Sequence, residues 1–546
     1  MTAYCANYID LSRRSGIDFL QRLHRFSDWM DAHRRLLMWV LVVAYFTIAL
    51  PNAYLKPLWH DELVTYDLAN SPSLSEMLRE IRKIDLNPPL LYLLDYGAIR
   101  IPGVHSNNHL ISLAARMPSI VGGLLASVGM FSLLQRRLGA LYGLAGVGLL
   151  WTTAFLPYVW EDRPYALLTG LLMLSILAWE RASQPERSLV WVGWSFCLGL
   201  AMVSSHFMAV FLLSAFLATE LVRGLLRRRI DLLLCLAYLL PFAVPVYYFA
   251  KIAGYRSIVF PLQFQPMPMI IPVEYLVLWQ RSALILCAFL FFYMIKILSP
   301  RATIPQTANP VPIQPVSVPT IPAEQVLLVG ILLEPAVAVI AIMRSHGAFF
   351  VRYGLPGCIP IVILSTVFLY ALFEKSRVAA LFLASASIAV AASSSFVVLF
   401  APPRLTTSYL AASGSEPAKY RMIEPDLPFV DASGLTYVEM NHREPAAFLH
   451  RTYYLTDTPS AIKYAHATLF ESESEIAQTF HFQSKVEALQ SFQQKHPKFL
   501  VLGTVNYPED WLLRKLITEG YTVRYLGSFT TSYKDKDLYE VSLSSR

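Results

Sequence analysis

Charge is scarce in this sequence: Asp, Glu, Lys and Arg make up 15% of 546 residues, against 55% apolar. That balance excludes a soluble globular chain. Cysteine is nearly absent. Cys5, Cys197, Cys235, Cys287 and Cys358 are scattered without metal-ligand spacing, and none follows residue 358. This excludes a cysteine zinc site and a disulfide-stapled C-terminal part. The tail lacks a glycine-rich phosphate loop, which excludes nucleotide binding of that kind there. No basic patch alternates with aromatic residues, so the excess of 45 Lys and Arg over 38 Asp and Glu does not signal nucleic acid. The first apolar run starts late and outlasts a signal core, so no cleavable signal peptide is expected.

What is present is apolar length. Runs near the roughly 20 residues that cross a bilayer recur at 36–55, 110–134, 139–157, 164–181, 189–205, 207–222, 231–250, 275–297, 323–343, 354–373 and 378–400. They predict a polytopic α-helical membrane protein with about eleven transmembrane helices. Lys and Arg gather at residues 1–35 and then in alternate loops, at Arg136–Arg137, Arg181 with Arg187, Arg223 with Arg227–Arg229, Lys296 with Arg301, and Lys375 with Arg377. By the positive-inside rule those segments are cytoplasmic, the N-terminus is in and the C-terminus out. Residues 36–400 form the membrane domain. Its 299–325 loop holds seven prolines and reads as an extended cytoplasmic tether.

The first outer loop, 56–109, is long and patterned. Leu74, Met77, Leu78 and Ile81 repeat at helical spacing behind a Ser73–Glu76 capping box, predicting an amphipathic helix in the membrane interface. Leu90–Ile101 reads as a second interfacial or re-entrant helix. From 401 to 546 the spans stop and short strand and helix patterns alternate, with a strand at Leu435–Met440 and helices near Glu444–Tyr453 and Ser484–Lys495. They predict a small exported α/β domain.

Unusual polar residues gather on the predicted outer side. Asp61 and Glu62 follow the first span. At the start of a helix Asp61 is either a carboxylate favoured by the dipole and ready to accept a proton, or a simple N-cap. Glu161, Asp162, Arg163 and Tyr165 surround Pro164, which suits a first helical turn. Arg163 there is either an anion ligand or an interfacial anchor. Arg352 and Tyr353 precede a late span, with Arg344 and His346 nearby; outer-side arginines run against the positive-inside trend and point to an anion. Lys251, Tyr255 and Arg256 decorate another outer loop.

These motifs carry a resemblance. Trp59-His60-Asp61-Glu62, the Pro88-Pro89-Leu90-Leu91-Tyr92 step, Ala115-Arg116-Met117-Pro118 and Arg163-Pro164-Tyr165-Ala166 follow one another in the order of bacterial membrane glycosyltransferases of the GT-C superfamily. The branch is the family-39-like one, with protein O-mannosyltransferases and the lipid A aminoarabinose transferase. The resemblance spans about residues 36–360. It implies a polyprenyl-phosphate sugar donor at the outer leaflet of a bacterial cytoplasmic membrane, with the active site facing the periplasm. It also implies inversion at the anomeric carbon, Asp61 as general base and Glu62 as its neighbour. Arg163, Tyr165, Arg352, Tyr353, Asn87, Glu161 and Asp162 are the candidates for holding donor phosphate and sugar. Asn87 stands where relatives often carry His or Lys. The acceptor is a lipopolysaccharide, another glycan or glycolipid, or a protein. No cofactor is implied with certainty and a divalent metal is left open. The rival class is a transporter or flippase for a lipid-linked sugar, in which charges line a path between repeated halves; no internal repeat is visible.

Overall fold

The computed structural model describes residues 21–85, 87–254, 267–298, 322–345, 347–400, 419–505, 511–530 and 535–543. Most of the proline-rich loop, His346, Tyr255, Arg256 and the Lys251 side chain lie outside what is described.

The apolar runs fold as helices. In chain order the membrane part and its first loop contain α1 (Arg34–Leu55), α2 (His60–Ala69), α3 (Leu74–Ile84), α4 (Leu90–Ala98), α5 (Asn108–Leu138), α6 (Ala140–Thr152), α7 (Pro164–Ala182), α8 (Leu189–Ser205) and α9 (Ala209–Arg227). Then come α10 (Leu232–Leu239), α11 (Ala243–Gly254), α12 (Ile270–Leu298), α13 (Pro322–Leu332), α14 (Glu334–Ser345), α15 (Cys358–Leu372) and α16 (Arg377–Phe400). Among the described residues seven helices are long and apolar enough to cross a membrane; α13 and α14, bent by 44° at a break, make an eighth if counted as one. The chain is a multi-pass integral membrane protein. The remaining three predicted spans fall on shorter apolar helices, Ala140–Thr152, Leu189–Ser205 and Leu232–Tyr248. A 13-residue helix such as α6 covers only about 20 Å of a roughly 30 Å hydrocarbon layer.

Inside the bundle α5 crosses α7 with almost no side chain between them. A Cβ added at Gly122 would stand 2.4 Å from Leu167 Cα, and one at Gly170 2.2 Å from the Gly122 carbonyl oxygen. Close backbone approach through small residues is how helices associate where lipid removes the hydrophobic drive. At the other end of α5, Gly139 takes φ +93° to end the helix.

The first loop folds back over this bundle. Ser73 Oγ accepts the Glu76 N–H at 3.2 Å, as its capping pattern requires. On the apolar face of α3, Met77 and Ile81 are fully buried with Leu63, Leu68 and Tyr92, and Val438, Ile476, Phe480 and Phe482 of the tail complete the cluster. Leu74 on the same face is 45% exposed, so protein covers part of that face.

The tail is a mixed α/β domain with one six-stranded sheet in the order β3-β2-β1-β4-β6-β5. Its strands are β1 (Phe429–Asp431), β2 (Thr452–Thr456), β3 (Lys485–Ala488), β4 (Lys498–Gly503), β5 (Thr522–Thr530) and β6 (Asp535–Ser542). β3, β2, β1 and β4 run parallel, while β6 pairs antiparallel with both β4 and β5. Leu435–Met440, expected as a strand, lies in helix α17 (Gly434–Arg443). All seven residues from Gly434 to Met440 are buried, between the sheet and α2, so no polar face marked the helical period. The helices expected near 444–453 and 484–495 shrink to Ala446–Leu449 and Leu489–Lys495, each beside a strand.

The glycine crossing yields a prediction. Gly170→Val should lower stability by about 1–3 kcal/mol or more, because backbone on the facing helix cannot yield as a side chain would. Thermal unfolding in detergent, with the exposed Gly193→Ala as control, checks it; equal melting temperatures would contradict the crossing.

Candidate active site

Asp61 sits in the first turn of α2 but does not cap it. Trp59 is the N-cap residue, and its N–H is taken by Glu62 Oε2 at 3.2 Å. That leaves the Asp61 side chain free to face arginines. Its Oδ2 lies 3.0 Å from Arg352 Nη2 and 4.0 Å from Arg163 Nη2, while its Oδ1 meets His60 Nδ1 at 3.2 Å. Burial would raise the Asp61 carboxyl, but Arg352, Arg163 and His60 together hold it well below the usual carboxylate range.

Glu62 points the opposite way, into the protein. Fully buried, it receives Arg116 Nε at 2.8 Å and Nη2 at 2.7 Å, and the Asp162 backbone N–H at 2.7 Å. Arg116, equally buried, spends its other donors on the carbonyls of Ala53, Lys56 and Pro57. One guanidinium thus fixes the end of α1, the start of α2 and, through Glu62, the turn before α7. Burial would raise the Glu62 carboxyl; the charge and hydrogen bonds of Arg116 outweigh it and keep Glu62 ionised.

Arg163, just before Pro164 at the first position of α7, reaches back to α2. Its Nη1 lies 3.3 Å from both the Asp61 carbonyl oxygen and Thr65 Oγ1. Arg352 lies in a 3-10 stretch, Val351–Gly357, leading into α15. Its guanidinium stands 4.5 Å from the Phe350 ring centroid, 5.7 Å from Trp59 and 5.8 Å from Tyr165. The Nε groups of both arginines are buried with no acceptor, so each keeps a spare N–H for an anion. Beneath them Tyr165, His206 and Tyr353 pack ring against ring at 5.4–6.1 Å. His206 Nδ1 accepts the Met208 N–H, which leaves the ring proton on Nε2. Burial first, then Arg163 and Arg352, lower its pKa to about 3 and keep it neutral.

Five predicted residues therefore meet: Asp61, Arg163, Tyr165, Arg352 and Tyr353, with Glu62 turned inward behind them to Arg116. The others take different positions. Asn87 lies at the margin, donating its N–H and one amide N–H to Asp85, which also accepts the Tyr92 hydroxyl. Glu161 turns to Lys56 at 3.2 Å. Asp162 turns inward to the fully buried Asp95, and burial pushes both carboxyls well up. Arg344 is exposed. Arg116 and His206 were not singled out as site residues. An arginine inside an otherwise apolar helix, and the polar break Ser204-Ser205-His206 between two apolar runs, were the available signals. Among the described residues no group of three or more His, Cys, Asp or Glu stands together as a metal site.

Comparison with known proteins follows this geometry. Residues 107–249, about a quarter of the chain, match the family model for dolichyl-phosphate-mannose-protein mannosyltransferases. Two crystal structures of ArnT from Cupriavidus metallidurans, one bound to undecaprenyl phosphate and one apo, superimpose with a TM-score of 0.52 at 13% identity. The bound form covers 94% of this chain and 98% of its own; the apo form covers 93% and 98%. The chain has the fold of ArnT, a GT-C type fold. An oligosaccharyltransferase from Archaeoglobus fulgidus aligns more loosely, with a TM-score of 0.40 at 11% identity over 95% of this chain and 75% of its own. No curated protein matches by sequence. The segment that the family model matches holds Arg116, Arg163, Tyr165 and His206, while Asp61 and Arg352 lie outside it.

The Arg116–Glu62 pair gives a stability prediction. Arg116→Met or Glu62→Gln leaves one buried charge alone and should cost about 3–5 kcal/mol. The double variant should cost clearly less than the sum. Thermal unfolding of the three purified variants checks this; strict additivity would contradict the pairing.

Proposed function

We propose that this GT-C enzyme is an inverting glycosyltransferase that moves a sugar from a polyprenyl-phosphate donor to a hydroxyl of an extracytoplasmic acceptor. The acceptor is a lipopolysaccharide, another glycan or glycolipid, or a protein. The reading includes eleven crossings, with the bent pair and the three short helices counted as spans. It also includes a bacterial cytoplasmic membrane, a cytoplasmic N-terminus and an exported 401–546 domain over the site. The Lys/Arg alternation supports that orientation.

The observation that carries the reading is a carboxylate of the first loop with two guanidiniums within 4.0 Å of it. Displacement at an anomeric carbon needs two things: a base for the incoming hydroxyl and neutralisation of the outgoing phosphate. Asp61 supplies the first, Arg163 and Arg352 the second. The acceptor oxygen bonds to the anomeric carbon as the bond to the phosphate oxygen breaks. The hydroxyl proton goes to Asp61, and the phosphate leaves with its charge held by the arginines. His206, neutral with its proton on Nε2, adds a hydrogen-bond donor without a third positive charge. Tyr165 and Tyr353 wall the donor side. The undecaprenyl phosphate bound to the structurally similar ArnT supports this donor class.

In the resting arrangement Asp61 is a poor base, because Arg352 and Arg163 hold its charge. An arriving phosphate competes for the same guanidiniums. Asp61 then loses its counter-ions and becomes more basic when the donor is in place. Donor binding and base activation are therefore one event.

Asp61→Asn keeps size and leaves the Trp59–Glu62 cap intact, so the fold should survive while turnover falls by about 10²–10⁴. Arg163→Lys and Arg352→Lys keep charge but lose the fork, and each should weaken undecaprenyl phosphate binding. Turnover of a lipid-linked sugar fraction from membranes of a deletion strain, with melting curves alongside, measures the first effect. Near-normal turnover in Asp61→Asn would remove Asp61 as base.

A further inference from the structure

The segment that carries Asp61 is gripped from two sides. From the membrane side, Arg116 takes the carbonyls of Lys56 and Pro57. From the exported side the grip comes from α17, in a different domain. Arg443 Nη2 donates to the Leu58 carbonyl at 2.8 Å, and its Nη1 pairs with Glu439 Oε2 at 2.8 Å. One Glu–Arg pair thus holds a carbonyl three residues before Asp61. Glu439 is 3% exposed, so water does not compete for its pairing with Arg443. Farther along α2, His442 Nε2 meets Asp67 Oδ2 at 2.9 Å. Val438 is fully buried against the apolar face formed by Leu63, Val64 and Leu68. Phe470 sets an edge against the His60 ring, with centroids 6.0 Å apart. Each of these partners lies beyond residue 430, outside the membrane domain.

We infer that Glu439 and Arg443 of the exported domain are positioning residues for Asp61, so that the active site is complete only with that domain in place. This inference rests on the reading of Asp61 as base. Arg443 fixes the chain entering helix α2, and Glu439 holds the Arg443 guanidinium in place to do so. Loss of either partner lets the first turn shift by a fraction of an ångström to an ångström. Neither residue is among the arginines and rings that face the donor phosphate. Misplacement on that scale costs on the order of 10²-fold in rate, and it falls on the chemical step rather than on donor affinity.

The experiment uses the full chain in nanodiscs with Glu439→Gln, Glu439→Asp and Arg443→Ala, and Lys498→Ala elsewhere on the exported domain as control. Three quantities are read for each: affinity for undecaprenyl phosphate, the melting curve, and kcat and KM with the lipid-linked sugar fraction of a deletion strain. Expected for Glu439→Gln and Arg443→Ala is a fall in kcat of roughly 10–100-fold. KM for donor and undecaprenyl phosphate affinity should stay within about twofold. Glu439→Asp keeps the charge and should recover part of the loss, and Lys498→Ala should match wild type. Addition of Glu439→Gln to Asp61→Asn should cost nothing more, because the base it positions is already gone. Wild-type kcat in Glu439→Gln with Asp61→Asn inactive would overturn this inference alone. So would losses confined to KM, or losses that follow the melting temperature. Full turnover in Asp61→Asn would overturn both this inference and the reading of Asp61.

Discussion

The site depends on one buried ion pair. Arg116 and Glu62 are both fully buried, and together they join α1, α2, α5 and the turn before α7 through seven hydrogen bonds. Such a pair is weak evidence for stability, since desolvation consumes most of its attraction. Its consequence is directional. With Glu62 committed inward, the next residue back along the helix must point elsewhere, and Asp61 is delivered to Arg352 and Arg163. Adjacent carboxylates on one helical turn thus divide into one held by Arg116 and one turned to Arg352 and Arg163.

The second constraint is electrostatic. Two guanidiniums this close to each other repel, and in the resting protein Asp61 between them relieves that repulsion. A phosphate does the same with more charge and more acceptor atoms. The resting site is therefore a stand-in for the bound one, with a carboxylate where the phosphate belongs. The neutral state of His206 follows from the same field. A ring buried beside two permanent cations cannot take up a proton.

Much of this was legible in the chain. The apolar runs gave the helices, Ser73 and Glu76 gave the start of α3, and Pro164 marked the first turn of α7. The Asp-Glu and Arg-Pro-Tyr segments and Arg352-Tyr353 pointed to the site. Directions within irregular stretches were not legible. Glu161, Asp162 and Arg163 are consecutive, yet they turn to Lys56, Asp95 and Asp61 respectively. Outside a regular helix or strand, no period says which way a side chain faces. Nor does sequence tell a helix face meant for lipid from one meant for another domain, because both are simply apolar. Met77 and Ile81 of α3 are the example: they pack in one cluster with residues of the tail. The role of Arg116 was hidden for a related reason: its partners are backbone carbonyls from the end of α1 and the segment before α2, and carbonyls leave no mark in a sequence.

The central claim is that donor phosphate takes the arginines from Asp61 and so raises its basicity. Infrared difference titration of protein carrying 13C-carboxyl aspartate, with Asp61→Asn subtracted, follows this one carboxyl directly. Without ligand, Asp61 should stay ionised to the acid limit of the folded protein, as its depressed ionisation requires. With undecaprenyl phosphate bound, its protonation should move up toward the ordinary aspartate range near 3.9 or above. A carboxyl that titrates identically with and without the phosphate would contradict the account.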